Sequence, residues 1–129
     1  MIYLDTHVVV WLFAGRLDLI PPLARALIED NDAMISPIVG MELQYLYESA
    51  RICEPATAII DGLTRKIGLK RCDVPFAQVV DMALQEDWTR DPFDRVIVAQ
   101  ARLRAAPLLT KDRTIQDHYD DAAWDLDRS

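Results

Sequence analysis

The chain predicts an α/β fold with a mostly parallel sheet covered by helices on both faces. Two observations carry this. Apolar runs of strand length alternate with longer segments of helical period along all 129 residues. The strand-like runs are short and nearly continuous in apolar residues, as strands buried on both faces are. No linker, repeat or low-complexity tract interrupts the alternation, so residues 1–129 read as one domain.

Met1–Asp5 (MIYLD) is the first strand, and VVVWLF behind it is a helix that Gly15 ends. Pro21-Pro22 opens a helix over Leu23–Glu29, and Ala33–Ser36 (AMIS) is the second strand. Ser36 as N-cap and Pro37 at the first helical position start a helix to about Ala50. Glu54–Gly68 repeats Ile59, Leu63 and Ile67 at helical spacing, with Gly68 as the stop. Leu69–Cys72 reads as a short strand and Pro75–Gln85 as a helix. Asp91-Pro92 begins a helix through Arg104, followed by a strand at Pro107–Thr110 (PLLT). A short helix over Asp112–Tyr119 and a last edge strand within Ala123–Leu126 complete the order.

Composition narrows the function. The 21 acids against 14 bases give a net charge of −7, which argues against a protein that coats nucleic acid by neutralising phosphates. It leaves room for an enzyme whose acids are gathered to hold cations. No run is long and apolar enough to span a membrane, and the N-terminus carries no secretory pattern, so a cytoplasmic location is expected. Cys53 and Cys72 have no metal-ligand spacing and are expected to be buried thiols.

The carboxylates are placed unusually. At about 100° per residue, Glu42 falls between Ile38, Tyr45 and Leu46, on the apolar arc of its helix, with Gln44, Glu48 and Arg51 opposite. Asp94 starts the stripe Ile97, Val98, Ala101, Ala105, the face that should pack on the sheet. Asp5 and Asp112 fall at the carboxyl ends of strands, where α/β sheets gather ligands. Asp5, Asp91 and Asp112 each precede a helix and could serve only as N-caps. Capping does not account for Glu42, nor for acids from four chain positions facing one sheet edge. Clustered carboxylates repel one another, and a hard divalent cation relieves this. Mg²⁺, or Mn²⁺ in its place, suits an all-oxygen donor set. Such a cage can activate a water against a phosphodiester. His7 and His118 are assigned structural or rim roles, and no Gly-rich phosphate loop is present.

LDTHVVVW with Asp5, SPIVGMEL with Glu42, RDPFDRVIVAQA with Asp91 and Asp94, and LLTKD with Thr110 and Asp112 together resemble a PIN domain. The wording RDPFDRVIVAQA is similar to the VapC-type toxins of toxin–antitoxin pairs, although Trp88-Thr89 stands where many relatives carry a His. The resemblance implies a three-layer α/β/α sandwich and a Mg²⁺-dependent endoribonuclease. Asp5, Glu42, Asp94 and Asp112 would form the catalytic, metal-binding quartet. Asp91 would be an accessory acid or the cap that fixes Asp94, while Thr6 and Thr110 would orient carboxylates or a water. It further implies cleavage of structured RNA such as tRNA or rRNA, a homodimer, and inhibition by a VapB-like antitoxin. Arg90, Arg95 and Lys111 are the first choices for RNA contact, among ten bases that could form a rim. Two other readings stand beside it: a phospho-acceptor receiver-like signalling module, and a catalytically inactive PIN domain that only binds partners.

Overall fold

The computed structural model describes residues 1–125. Five strands form one sheet in the order β3-β2-β1-β4-β5, with every neighbouring pair parallel. The strands are β1 (Ile2–Leu4), β2 (Ala33–Ile35), β3 (Lys70–Arg71), β4 (Leu108–Leu109) and β5 (Ala122–Ala123). Seven α-helices accompany them among the described residues: α1 (Thr6–Ala14), α2 (Pro22–Asp30), α3 (Pro37–Glu48), α4 (Ala56–Ile67), α5 (Phe76–Ala83), α6 (Pro92–Leu103) and α7 (Arg113–His118). A 3₁₀ turn at Leu17–Leu19 was not expected from the sequence.

Successive side chains of a strand point to opposite faces. Ile2, Tyr3 and Leu4 are all buried, as are Leu108 and Leu109, so both faces of the sheet centre are covered. α1 and α3 pack on α4, while α5 and α3 pack on α6. The expected α/β sandwich is the observed one.

Start and stop signals act locally as their chemistry requires. The Ser36 hydroxyl accepts from the Ile38 amide, with Pro37 at the first helical position. Gly15 adopts φ 72°, and its amide reaches the Leu12 and Trp11 carbonyls to close α1. A β-carbon at Gly62 would lie 2.9 Å from Cε1 of Phe13, so glycine there sets how closely α4 approaches α1.

Several details differ from the sequence reading. The buried stripe of α3 is Val39 and Leu43, and Glu42 lies half-buried at its edge rather than at its centre. Ala105 is exposed at φ 50° beyond the end of α6, and the buried alanine there is Ala106. Ile67 is 39% exposed, because α4 rolls its last turn toward solvent. Cys72 is buried, but Cys53 is exposed. The last strand sits at Ala122–Ala123; Leu126 lies outside the described residues.

The strand order fixes where a site can form. From β1 the chain moves outward through β2 and β3, then returns across to β4 on the other flank of β1. The switch point therefore lies at the carboxyl ends of β1 and β4, which is where parallel sheets hold ligands. Asp5 follows β1, and Thr110 and Asp112 follow β4.

Candidate active site

Asp5 leaves the end of β1 only 5% exposed. Its Oδ1 accepts from the Thr6 amide at 2.8 Å, and its Oδ2 accepts from the Thr110 hydroxyl at 2.6 Å. That hydroxyl in turn accepts from the Asp112 amide at 3.0 Å. A fully buried threonine thus ties the acid after β1 to the acid after β4, and the Thr110 carbonyl accepts from Gln116 Nε2 at 2.9 Å. Asp112 caps α7 with one oxygen, Oδ1, which accepts from the Thr114 and Ile115 amides.

The facing wall is built from α3 and α6. The Thr6 hydroxyl donates to Glu42 Oε1, so Thr6 couples α1 to α3. Asp91 caps α6, its Oδ1 accepting from the Phe93 and Asp94 amides at 2.8 and 3.2 Å. The Asp94 carboxyl makes no hydrogen bond among the described residues. Asp5, Glu42, Asp91, Asp94 and Asp112 all line one open cleft of about 430 Å³, together with Thr6, His7, Trp11 and Arg51. Capping and convergence hold at once: each capping acid uses one oxygen for its helix and still faces the cleft.

The electrostatics follow from this crowding. Burial pushes the Asp94 carboxyl up to about 7, and the charges of Asp5, Asp91, Asp112 and Glu42 push it the same way. Burial also raises Glu42, with Asp5 and Asp91 adding to the shift and the Thr6 hydrogen bond opposing it. Burial lowers His7 against the opposite pull of Asp5 and Asp112. His7 Nε2 accepts from the Lys111 amide at 3.0 Å, which places its proton on Nδ1, 3.5 Å from Asp5 Oδ2. His7 is therefore a wall of the cleft whose outer nitrogen is already used. Its rings of contact are Trp11 and Trp124.

An all-carboxylate donor set with strained charge fits a hard divalent cation better than zinc. Among the described residues, no three His, Cys, Asp or Glu side chains stand close enough to enclose an ion by themselves. The two facts are compatible: Mg²⁺ binds through one or two carboxylates and keeps several waters, which an open cleft admits.

The bases chosen from sequence lie elsewhere. Arg90 donates to the carbonyls of Asp87 and Thr89, and Arg95 donates to those of Ala83 and Leu84 at the end of α5. Neither lines the cleft. Lys111 is nearer, its Nζ 5.5 Å from the ring centroid of Trp11. Among the described residues Arg51, one of the ten rim bases, is the lysine or arginine that does line it. Trp88 and Thr89 do not line the cleft; Trp88 stacks on His118 and bonds Glu86, and the Thr89 hydroxyl accepts from the Asp91 amide at 3.2 Å.

A parallel sheet ordered 3-2-1-4-5 with acids at its switch point defines a class of α/β proteins built around an acid-lined cleft. It is distinct from the 2-1-3-4-5 order of receiver-like folds. Within that class, this chain belongs to the PIN domain family, whose pattern it matches over residues 2–121. It is 28% identical over 123 residues to Ribonuclease VapC22 of Mycobacterium tuberculosis (strain ATCC 25618 / H37Rv), covering 91% of each chain. Its fold is similar to that in the crystal structure of VapBC2 from Rickettsia felis bound to a promoter DNA fragment. The TM-score is 0.64 at 22% identity, over 97% of this chain and 100% of that one. A toxin–antitoxin complex from Klebsiella pneumoniae is likewise similar, with a TM-score of 0.65 at 16% identity over 95% and 96%.

Proposed function

We propose that this protein is a Mg²⁺-dependent endoribonuclease, with Mn²⁺ able to substitute, and the toxin of a VapBC-type pair acting in the cytoplasm. The observation that carries the reading is the convergence of Asp5, Glu42, Asp94 and Asp112 on one cleft at the sheet's switch point. The curated relative is named a ribonuclease, and the similar folds come from toxin–antitoxin complexes.

In this mechanism one or two of the four carboxylates would bind the cation directly and the others would add to the negative field that retains it; when bound, it would activate a water and offset charge on the phosphodiester. Thr110 and the Thr6 amide fix both oxygens of Asp5, so one ligand is set before substrate arrives. Thr6 sets Glu42 by the same logic. Asp91 anchors the start of α6 and so positions Asp94. Asp94, whose carboxyl makes no hydrogen bond among the described residues and is raised to about 7, gains most when positive charge enters the cleft. Hydrolysis would leave a 5′-phosphate on structured RNA such as tRNA or rRNA. Lys111 at the cleft edge and Arg90 further out would contribute phosphate contacts, whereas Arg95, whose donors are spent on the Ala83 and Leu84 carbonyls, would not. A VapB-like antitoxin would inhibit by covering the cleft. A homodimer is supported by exposed apolar side chains such as Met41 and Phe76 on α3 and α5.

Incubation with total cellular RNA, with Mg²⁺ or with a chelator, and mapping of new 5′ ends tests the reading. Discrete Mg²⁺-dependent ends are expected from the parent protein and none from Asp5→Asn. Ends that persist in chelator or in Asp5→Asn would overturn it.

A further inference from the structure

Just outside the lining of the acidic cleft stands an aromatic pair, next in sequence to the cleft residues Leu46 and Asp94, that the hydrolytic reading leaves unused. Tyr45 on α3 is 50% exposed, although it sits one turn from Glu42. Its ring stacks on Phe93, the residue beside Asp94, with centroids 6.1 Å apart and planes inclined by 26°. Arg51 lies over the same ring, its guanidinium carbon 5.8 Å from the centroid. Arg51 lines a cleft that five carboxylates share, yet it forms no ion pair among the described residues. An exposed arginine in that field would ordinarily be drawn onto an acid. Here its guanidinium lies over an aromatic face beside the cleft, and it makes no side-chain hydrogen bond among the described residues.

A core role explains little of this. Phe93 supports the Tyr45 ring from α6 and fixes its plane, while the buried stripe of α3 is carried by Val39 and Leu43. A half-exposed ring, backed by a second ring and flanked by a free guanidinium, matches the way proteins receive an unpaired base and the phosphate next to it. A base in a duplex is stacked on its neighbours and cannot reach such a ring.

Resting on the ribonuclease reading, we propose that Tyr45 and Arg51 form a subsite for one unpaired nucleobase of the RNA adjoining the cut. The base stacks on the Tyr45 ring that Phe93 braces, and Arg51 moves aside to hold the neighbouring phosphate. The subsite restricts the enzyme to single-stranded segments, such as loops, within structured RNA. Arg51, on an exposed side chain at the outer limit of cation–π range, is readily displaced.

The test is binding of a short single-stranded RNA carrying one 2-aminopurine, compared with the same strand in a blunt duplex. Ca²⁺ replaces Mg²⁺, and strand integrity is checked on the same samples. The parent is expected to quench the probe in the single strand only. Tyr45→Ala should lose the quenching and about tenfold in affinity for the single strand, with the duplex unaffected. Tyr45→Phe, which keeps the ring, should restore both. Arg51→Ala should lower the slope of log affinity against log salt by about 0.7. A Tyr45→Ala protein that binds and quenches like the parent overturns the proposal. Equal losses on both probes, or a parent that quenches neither, overturn it as well. Because no cleavage is read, this outcome is separate from the ribonuclease test: nuclease failure appears as Mg²⁺-independent ends, subsite failure as unchanged quenching.

Discussion

Glu86 and Asp94 are both carboxylates withdrawn from solvent near the RDPFD turn, and the fold treats them in opposite ways. Glu86, 3% exposed, accepts from Arg102 Nε at 2.6 Å and from Trp88 Nε1 at 2.7 Å. Trp88 stacks on His118, with centroids 5.0 Å apart, and Arg102 stands over the Tyr119 ring at the same distance. The group clamps the end of α5 to α6 and α7. Asp94 has no such partner among the described residues, and the charges of Asp5, Asp91, Asp112 and Glu42 all bear on it. The difference teaches that withdrawal from water does not mark a functional carboxylate. A buried charge that is satisfied holds the structure together. One left unsatisfied beside others of its sign has been placed for something the fold itself does not supply.

The same chemical change, carboxylate to amide without change of size, should separate the two with the largest effect. Asp94→Asn is expected to lower RNA cleavage by about 10²–10³-fold or more, as loss of a charge-stabilising group at a reacting centre does. Glu86→Gln should leave cleavage per folded molecule near the parental rate. It should cost about 1.5–3 kcal/mol of stability, because hydrogen bonds to a charged acceptor are weakened. Initial rates, with denaturant melts of each variant, read both effects. A Glu86→Gln protein of parental stability but crippled cleavage would reverse the assignment.

A second, smaller effect is one of sign with pH. The Asp94 carboxyl is raised from its ordinary range to about 7 in the folded protein. Between about pH 4 and about 7 the unfolded chain releases a proton that the native state retains, so native stability falls as pH rises through that window. Above about 7 both states are ionised and the loss is complete. Removing the carboxyl removes the loss. Metal-free Asp94→Asn should therefore match the parent near pH 4 and exceed it at neutral pH by about 1–2 kcal/mol, after discounting for solvent screening at a partly open site. Thermal melts in chelator across that range check it. Mg²⁺ should then stabilise the parent more than the variant, since a ligand stabilises only the state that binds it. A variant that is less stable than the parent at neutral pH would make Asp94 a structural acid like Glu86.

Much of this was legible in the sequence, for reasons that are local. Ser36-Pro37, Asp91-Pro92, Gly15 and Gly68 each start or stop a helix through bonds made within a few residues, so their effect does not depend on the rest of the fold. The acids could be placed at one sheet edge because strand ends are where these signals fall. The buried face of α3 was not legible. Its sequence is apolar around most of its circumference, with Met41, Tyr45 and Tyr47 exposed beside the buried Val39 and Leu43, so period alone centred the arc on Glu42. Glu86 was missed because Arg102, its partner, lies a helix away and only the packing of α5 on α6 brings them together. Tertiary commitment also decides which bases are free, and that too is invisible along the chain.

Sequence adjacency to Asp91 and Asp94 made Arg90 and Arg95 the first choices for RNA contact, but the folded chain spends the Arg95 donors on the Ala83 and Leu84 carbonyls at 3.0 Å each. These are carbonyls at the end of α5, where a cation bonds the last acceptors and complements the helix dipole. Arg95→Ala should therefore cost about 0.5–1 kcal/mol of stability and leave the affinity for single-stranded RNA little changed. Arg51→Ala should do the reverse, since its guanidinium bonds no carbonyl among the described residues and the residue lines the cleft. Paired melts and anisotropy titrations of the two variants decide between proximity in sequence and commitment in space. If Arg95→Ala loses more RNA affinity than Arg51→Ala, a base held by the fold can still serve substrate, and the contrast between satisfied and unsatisfied charges would apply to the acids alone.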